Sequence, residues 1–266
     1  MINKHFRNII VLRTNIYSAR WDTIFSKLPS NVKIMVVADC RNENFVFNNG
    51  ISIGYNIDNV SCLKLPLADD MQWRFGDYAI YLADDYLKNN EITYDYIWII
   101  EPDFHITIDF YSFICGFDSN DADFITTYFE PADDSWMWSK YSNEMGYQKV
   151  YKTFFPFVRL KSNLVSELLD RRIKYPSLAN DESFVASFIG NNNFKFDLFS
   201  NYIKYNRNSF SYRLPHYIPF IRYYLQAKSD IYHPAFDRFL DYAEHLKKRS
   251  SWKKVLKRVL LINNYD

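Results

Sequence analysis

Glycine is scarce in this chain. There are six in 266 residues, and Arg13-Thr14-Asn15-Ile16, just after the first apolar run, contains none. A glycine-rich phosphate loop near residues 13–20 is thereby excluded. Cysteine is scarce too. Cys40, Cys62 and Cys115 are odd in number and their spacing suits no zinc motif, so they read as reduced thiols of a cytoplasmic protein. Net charge is almost absent, at +1, which argues against a general nucleic-acid binder. No apolar run is long enough to span a bilayer, and residues 1–7 lack the apolar region of a signal peptide. No repeat and no low-complexity linker interrupts the chain.

What is present is apolar and aromatic. Hydrophobic residues make up 48%, enough for a sizeable core. The 22 Tyr and 23 Phe exceed ordinary use, and most are expected to pack, with some Tyr lining a groove. The near-zero charge hides an asymmetry. Residues 246–266 hold seven basic residues and one acidic, leaving 25 basic against 30 acidic in residues 1–245, a net of −5.

The N-terminal half alternates strand and helix. Ile9-Ile10-Val11-Leu12 reads as a buried strand, residues 17–28 as a helix with Trp21, Ile24, Phe25 and Leu28 on one face, and residues 34–38 as a second strand ending at Asp39. That is a βαβ unit and the start of a parallel sheet. Residues 41–68 are irregular. A helix over 71–87 then feeds the apolar run 97–100. Further strands are expected at 123–128, 153–160 and 194–199, and helices from Ser162 and from Ser183 onward.

The run 97–100 ends in Glu101-Pro102-Asp103. Pro102 cannot donate to a strand ladder, so pairing should stop there. Both carboxylates then stand at a strand's carboxyl end, where open α/β sheets place their ligands, and they suit a divalent cation with oxygen ligands. The plain alternative is a polar turn. Asp181-Glu182 opens a helix, where acidic residues serve either as caps or as catalytic groups. His233, before Pro234, reads as a loop residue, and loops carry ligands.

The order of these motifs resembles the glycosyltransferases of the GT-A fold. In that family a Rossmann-like half holds a nucleotide sugar, a DxD-type motif closes it on an apolar strand, an acidic "xED" motif follows at a helix start, and a late His often completes the metal site. The resemblance covers most of residues 7–235, and the stretch 154–160 also looks like the acceptor-side strand of bacterial enzymes that build surface polysaccharides. It implies an α/β fold, a mixed Rossmann-type central sheet flanked by helices. It also implies one catalytic domain, 1–245, with a nucleotide-sugar half at about 7–104 and an acceptor half at about 105–245.

The resemblance further implies transfer of a sugar from a nucleotide-sugar donor to an oligosaccharide or lipid-linked glycan acceptor in lipopolysaccharide, O-antigen or capsule synthesis. By the family's habits the donor is a UDP-hexose, galactose-type as a guess within that. A divalent metal, Mn²⁺ or Mg²⁺, would be held by Asp103 and His233. Inversion at the anomeric carbon would use Glu182 or Asp181 as base, since a one-residue shift of the alignment exchanges them. Asp39 matches the place of the uracil or ribose contact, and Arg13, Thr14, Arg74 and Asp77 are further donor-side candidates. For Arg74 and Asp77 the alternative is a solvated helix face with a local ion pair. The motif reads Glu-Pro-Asp rather than DxD, so Glu101 either binds metal weakly, holds the loop, or reaches the donor.

The tail carries a separate signal. Trp252, Val255, Leu256, Val259 and Leu260 fall at i, i+3, i+4, i+7 and i+8, with Lys253, Lys254, Lys257 and Arg258 on other faces. A basic amphipathic helix over 246–266 is expected, lying either on an anionic leaflet or on the body's acidic surface. The first choice makes the protein cytoplasmic and peripheral to the inner face of the membrane. Two rival functions stand beside the leading one: a metal-dependent nucleotidyltransferase, which the missing glycine loop disfavours, and a non-catalytic membrane-surface module, which the retained carboxylates disfavour.

Overall fold

A computed structural model describes residues 4–41, 45–211, 215–222 and 228–249. The chain divides into two compact units, one of Met1–Pro102 with Phe110–Asn201, the other of Asp103–Asp109 with Tyr202–Asp266. The seven-residue excursion after Pro102 belongs with the C-terminal part.

In the first unit, strands β1 (Lys4–Thr14), β2 (Val32–Ala38), β3 (Ile51–Gly54) and β4 (Ile92–Ile100) alternate with helices α1 (Ala19–Phe25), α2 (Ile57–Cys62), α3 (Met71–Arg74) and α4 (Asp77–Asn89). After the excursion, which holds β5 (His105–Ile106), come α5 (Phe110–Cys115), β6 (Phe124–Thr126), β7 (Phe129–Pro131), α6 (Ser142–Met145) and β8 (Tyr151–Thr153). The unit closes with β9 (Phe157–Lys161), α7 (Ser162–Lys174), α8 (Asp181–Asn191) and β10 (Phe196–Leu198).

Seven strands form one sheet in the order β10-β6-β9-β4-β1-β2-β3. Strand β9 is antiparallel to β4 and β6; the other pairings are parallel. This is the mixed Rossmann-type sheet flanked by helices that the sequence predicts. Its central strands are covered on both faces, which is why Ile9 to Leu12 and Ile97 to Ile100 are continuous apolar runs with no exposed side chain. Much of the aromatic excess is core. Trp98 packs against Phe113, Phe117, Phe157 and Phe199 at centroid distances of 5.4–6.1 Å, and its indole N–H donates to Asn8 Oδ1 at 2.9 Å.

Two expected elements are broken. The helix over 71–87 is two helices, α3 and α4, separated at Phe75–Gly76. The strand over 153–160 is β8 and β9, separated around Pro156, which has no N–H for a ladder.

The second unit is small. In it, β5 pairs antiparallel with β12 (Ile231–Tyr232), and β11 (His216–Tyr217) pairs with β13 (Ala235–Phe236). Helices α9 (Ile218–Phe220) and α10 (Phe239–Arg249) complete it. Among the described residues Ile218, Ile221, Tyr232 and Ala235 form one buried cluster in it. Residues 250–266, with most of the predicted amphipathic tail, lie outside the described residues. Among the described residues no helix is long and apolar enough to cross a membrane.

Candidate active site

Strand order places the site in the first unit. The chain leaves β1 to one side for β2 and returns on the other side as β4, so the crevice at the carboxyl ends of β1 and β4 is the topological switch point. Arg13 stands near the end of β1, and Glu101 follows β4. Their side chains form an ion pair, and Arg13 Nη1 reaches Asp181 Oδ2 at 3.3 Å. One guanidinium thus joins two of the carboxylates that the sequence singles out, Glu101 and Asp181. Glu101 is anchored from its backbone as well, its N–H donating to Pro156 O at 3.0 Å. The turn beyond it is held by α1: Trp21 Nε1 and Arg20 Nη2 both donate to Pro102 O, at 3.0 and 2.7 Å.

Helix α8 presents Asp181 and Glu182. Its N-cap is neither acid. Asn180 Oδ1 accepts from Ser183 N at 3.1 Å, so the capping role is filled by another side chain. Asp181 is fully engaged: Oδ1 accepts from Glu182 N at 2.7 Å, and Oδ2 accepts from Gly76 N at 3.0 Å and from Arg13. Glu182 is half-buried and receives Asn180 Nδ2 at 3.3 Å on Oε2. Burial first, and the charge of Asp181 second, push the Glu182 carboxyl up to about 8. Burial likewise pushes Asp181 up to about 6, against the pull of Arg13. A carboxyl titrating near neutrality in a crevice has the character of a general acid or base.

The remaining donor-side candidates separate. Thr14 and Asp39 lie side by side at the ends of β1 and β2, with Asp39 N donating to Thr14 O at 2.9 Å. Thr14 Oγ1 is bound within its own turn to Ile16, and Asp39 holds Arg41 through two bonds of 2.9 Å. Arg74 pairs with Asp70 at 2.7 Å, lies 5.4 Å from the centre of the Trp138 ring, and donates to Leu178 O at 3.3 Å.

Asp77 does not face a donor, which corrects the expectation for it. It is 0% exposed, with Arg172 Nε on Oδ2 at 2.8 Å, Arg172 Nη2 on Oδ1 at 3.2 Å, and Tyr81 Oη on Oδ2 at 3.0 Å. Nor is it on a solvated helix face; the pair is buried.

Sequence reading missed Arg172 and Gly76. Arg172 Nη1 also donates to Ser177 O and Ala179 O, at 3.1 and 3.0 Å, which fixes the segment leading into α8. Nothing in Arg171-Arg172, basic residues in a helix's last turn, distinguishes it from a solvated face. Gly76 had a signal: it is one of six glycines, and it stands inside a helical pattern. A Cβ there would overlap both Arg13 Nη1 and Asp181 Oδ2.

Asp103 and His233 come together inside the second unit. The antiparallel register pairs Tyr232 with His105, so the residues just outside the ladder, Asp103 before β5 and His233 after β12, are brought side by side. Ala235 N donates to Asp103 O at 2.7 Å, and His233 Nε2 lies 3.2 Å from Asp103 Oδ1. Burial works to raise the Asp103 carboxyl, but the charge and hydrogen bond of the imidazole outweigh it and hold Asp103 below its ordinary value. His233 Nδ1 is 3.2 Å from Ser211 O. An imidazole that gives one nitrogen to a carbonyl and turns the other to a carboxylate is oriented as metal-ligating histidines are. The donor set, one imidazole nitrogen and carboxylate oxygen, fits a divalent cation. Chain connectivity keeps Glu101 two residues from Asp103.

No protein-family model and no curated protein matches the chain. Solved structures do. One is a putative glucose-1-phosphate thymidylyltransferase from Bacillus anthracis in complex with a sucrose, at 10% identity and a TM-score of 0.39, covering 73% of this chain and 86% of that one. Another is mouse xyloside xylosyltransferase 1 in its apo form, at 9% identity and a TM-score of 0.40, covering 86% of this chain and 97% of that one.

Proposed function

We propose that the protein is a glycosyltransferase that moves a hexose from a nucleotide sugar to a glycan acceptor with inversion, assisted by Mn²⁺ or Mg²⁺. The observation that carries this reading is Glu182. It is a half-buried carboxyl pushed up toward neutrality, next to an Asp181 that Gly76 and Arg13 already hold, at the switch point of an α/β sheet.

Glu182 takes the proton of the acceptor hydroxyl as that oxygen bonds to the anomeric carbon and the bond to the diphosphate breaks. Attack from the face opposite the leaving group inverts the centre. Asp181, with both oxygens hydrogen-bonded, keeps Arg13 and the start of α8 in place, which favours Glu182 as the base. Arg13 neutralises Glu101, so Glu101 serves as a holding residue more readily than as a metal ligand. Asp103 and His233 would hold the cation, which supplies positive charge to the departing diphosphate. Thr14 and Asp39 are the donor-side polar groups at the ends of β1 and β2. A UDP-hexose donor, an acceptor belonging to a bacterial surface polysaccharide, and attachment to the inner membrane face through the basic tail complete the reading.

Calorimetry of the full chain with UDP-, GDP- and CMP-sugars, with and without Mn²⁺, tests it. One nucleotide class should bind, more tightly with metal, and Asp103→Ala should remove the metal-dependent part. No binding to any nucleotide sugar would overturn the reading.

A further inference from the structure

One surface of the first unit has an aromatic character that neither the core nor the reaction uses. Trp73, on α3, is 66% exposed, and Met137 is 61% exposed. The Trp73 ring lies 6.3 Å from that of Trp138, which is itself buried and stacked on Tyr141 at 5.7 Å. Arg74 sits over Trp138, and its guanidinium is tied to Asp70. The exposed indole therefore rests against a buried aromatic pair, and the Asp70–Arg74 ion pair lies over the neighbouring Trp138 ring. An exposed indole held by its neighbours offers a flat apolar face on which a ligand ring can stack, with polar groups nearby for the ring's rim.

Two connections tie this surface to α8. Arg74 Nη1 donates to Leu178 O, three residues before Asp181. Trp73 is three residues from Gly76, a stretch of at most about 10 Å, and Gly76 N is 3.0 Å from Asp181 Oδ2. A short oligosaccharide spans that interval.

We propose that Trp73 is a stacking platform for a sugar ring of the acceptor glycan, with the Asp70–Arg74 pair as hydrogen-bonding partner for its hydroxyls. A pyranose has one apolar face of axial C–H groups and a rim of hydroxyls, which is the complement of an exposed indole with a carboxylate–guanidinium pair over the neighbouring ring. Assignment of the sugar to the acceptor rests on Glu182 being the base, since the platform lies on the α8 side. A stacked nucleobase is the competing occupant, and the test separates the two.

The test uses an array of immobilised bacterial and mammalian glycans probed with the labelled full chain, together with UDP-sugar calorimetry. Wild type should bind a subset of the glycans. Trp73→Ala should lose about tenfold or more of that binding, Trp73→Phe should retain most of it, and UDP-sugar affinity should be unchanged in both. Because the side chain is exposed, circular dichroism and melting of both variants should match wild type. Absence of glycan binding by wild type, equal binding by Trp73→Ala, or loss of UDP-sugar binding in that variant would each overturn the platform. Trp73-dependent glycan binding by a protein that binds no nucleotide sugar would leave the platform standing and remove the transferase reading.

Discussion

Gly76 occupies a position where any side chain collides with the two groups that organise the site. Its φ of −61° is open to every L residue, so the requirement is space and not backbone freedom. Gly76→Ala should force Arg13 away from Asp181 and withdraw the N–H bond to Oδ2. We expect a loss of roughly 1–3 kcal/mol in denaturant unfolding, the usual cost of overpacking, and a fall in kcat/KM beyond that of a surface control. Unaltered stability would mean that Arg13 does not lie where the structure places it. Glu182 gives a second residue-scale expectation. If it is the base, kcat/KM climbs as pH rises through about 8 and levels off above it. The same shift carries a stability signature of definite sign. A carboxyl raised in the folded state contributes stability that is fully present below its unfolded pKa, about 4.3, and that is lost as pH rises through the folded value. Glu182→Gln should therefore remove both the rising limb of activity and the loss of stability that runs from about pH 4.3 to about pH 8. A variant that keeps wild-type pH dependence in either measurement assigns that dependence to another group.

Between elements, the Asp77–Arg172 pair joins α4 to α7, and through the carbonyls of Ser177 and Ala179 it also sets the approach to α8. The Arg172 guanidinium lies 3.6 Å from the Phe184 ring centre, so it is packed as well as paired. Arg172→Met should leave Asp77 charged and buried without its partner, at a cost of about 3–5 kcal/mol. Asp77→Asn combined with Arg172→Met should lose clearly less than the sum of the two single changes. Additive losses in a double-mutant cycle would show the groups to be independent. This pair also marks the limit of what sequence patterns convey. Amphipathic periodicity revealed α4 and α7 because apolar faces repeat every 3.6 residues. It is blind to a single long-range charge pair, because Asp77 and Arg172, 95 residues apart, each look like an ordinary polar residue of a helix end. Conversely, Asp181-Glu182 was legible because acids at a helix start are restricted in number and meaning, and the cap itself is supplied by Asn180 and not by either acid.

At the scale of the whole molecule, the sheet was the most legible part, since β1, β2 and β4 are buried on both faces and write themselves as the apolar runs 9–12, 34–38 and 97–100. The second unit was the least legible. Its ladders are two residues long, so no periodic pattern could form. With ladders this short, amides of β5, β12 and β13 should exchange with deuterium through openings of lower free energy than those of β1 and β4. Both proposed metal ligands, Asp103 and His233, belong to this unit, at the ends of the ladder between β5 and β12. A cation bound by the folded unit and not by its opened form stabilises the former by mass action, about 2.7 kcal/mol at a hundredfold excess over Kd. Adding Mn²⁺ should accordingly slow exchange at residues 105–106 and 231–235 while leaving Ile9 to Leu12 unchanged. His233→Ala should abolish the slowing at the same Mn²⁺ concentration without altering exchange in β1. Equal exchange with and without Mn²⁺, at concentrations up to millimolar, would remove Asp103 and His233 from the metal assignment and leave them as an ion pair of the second unit.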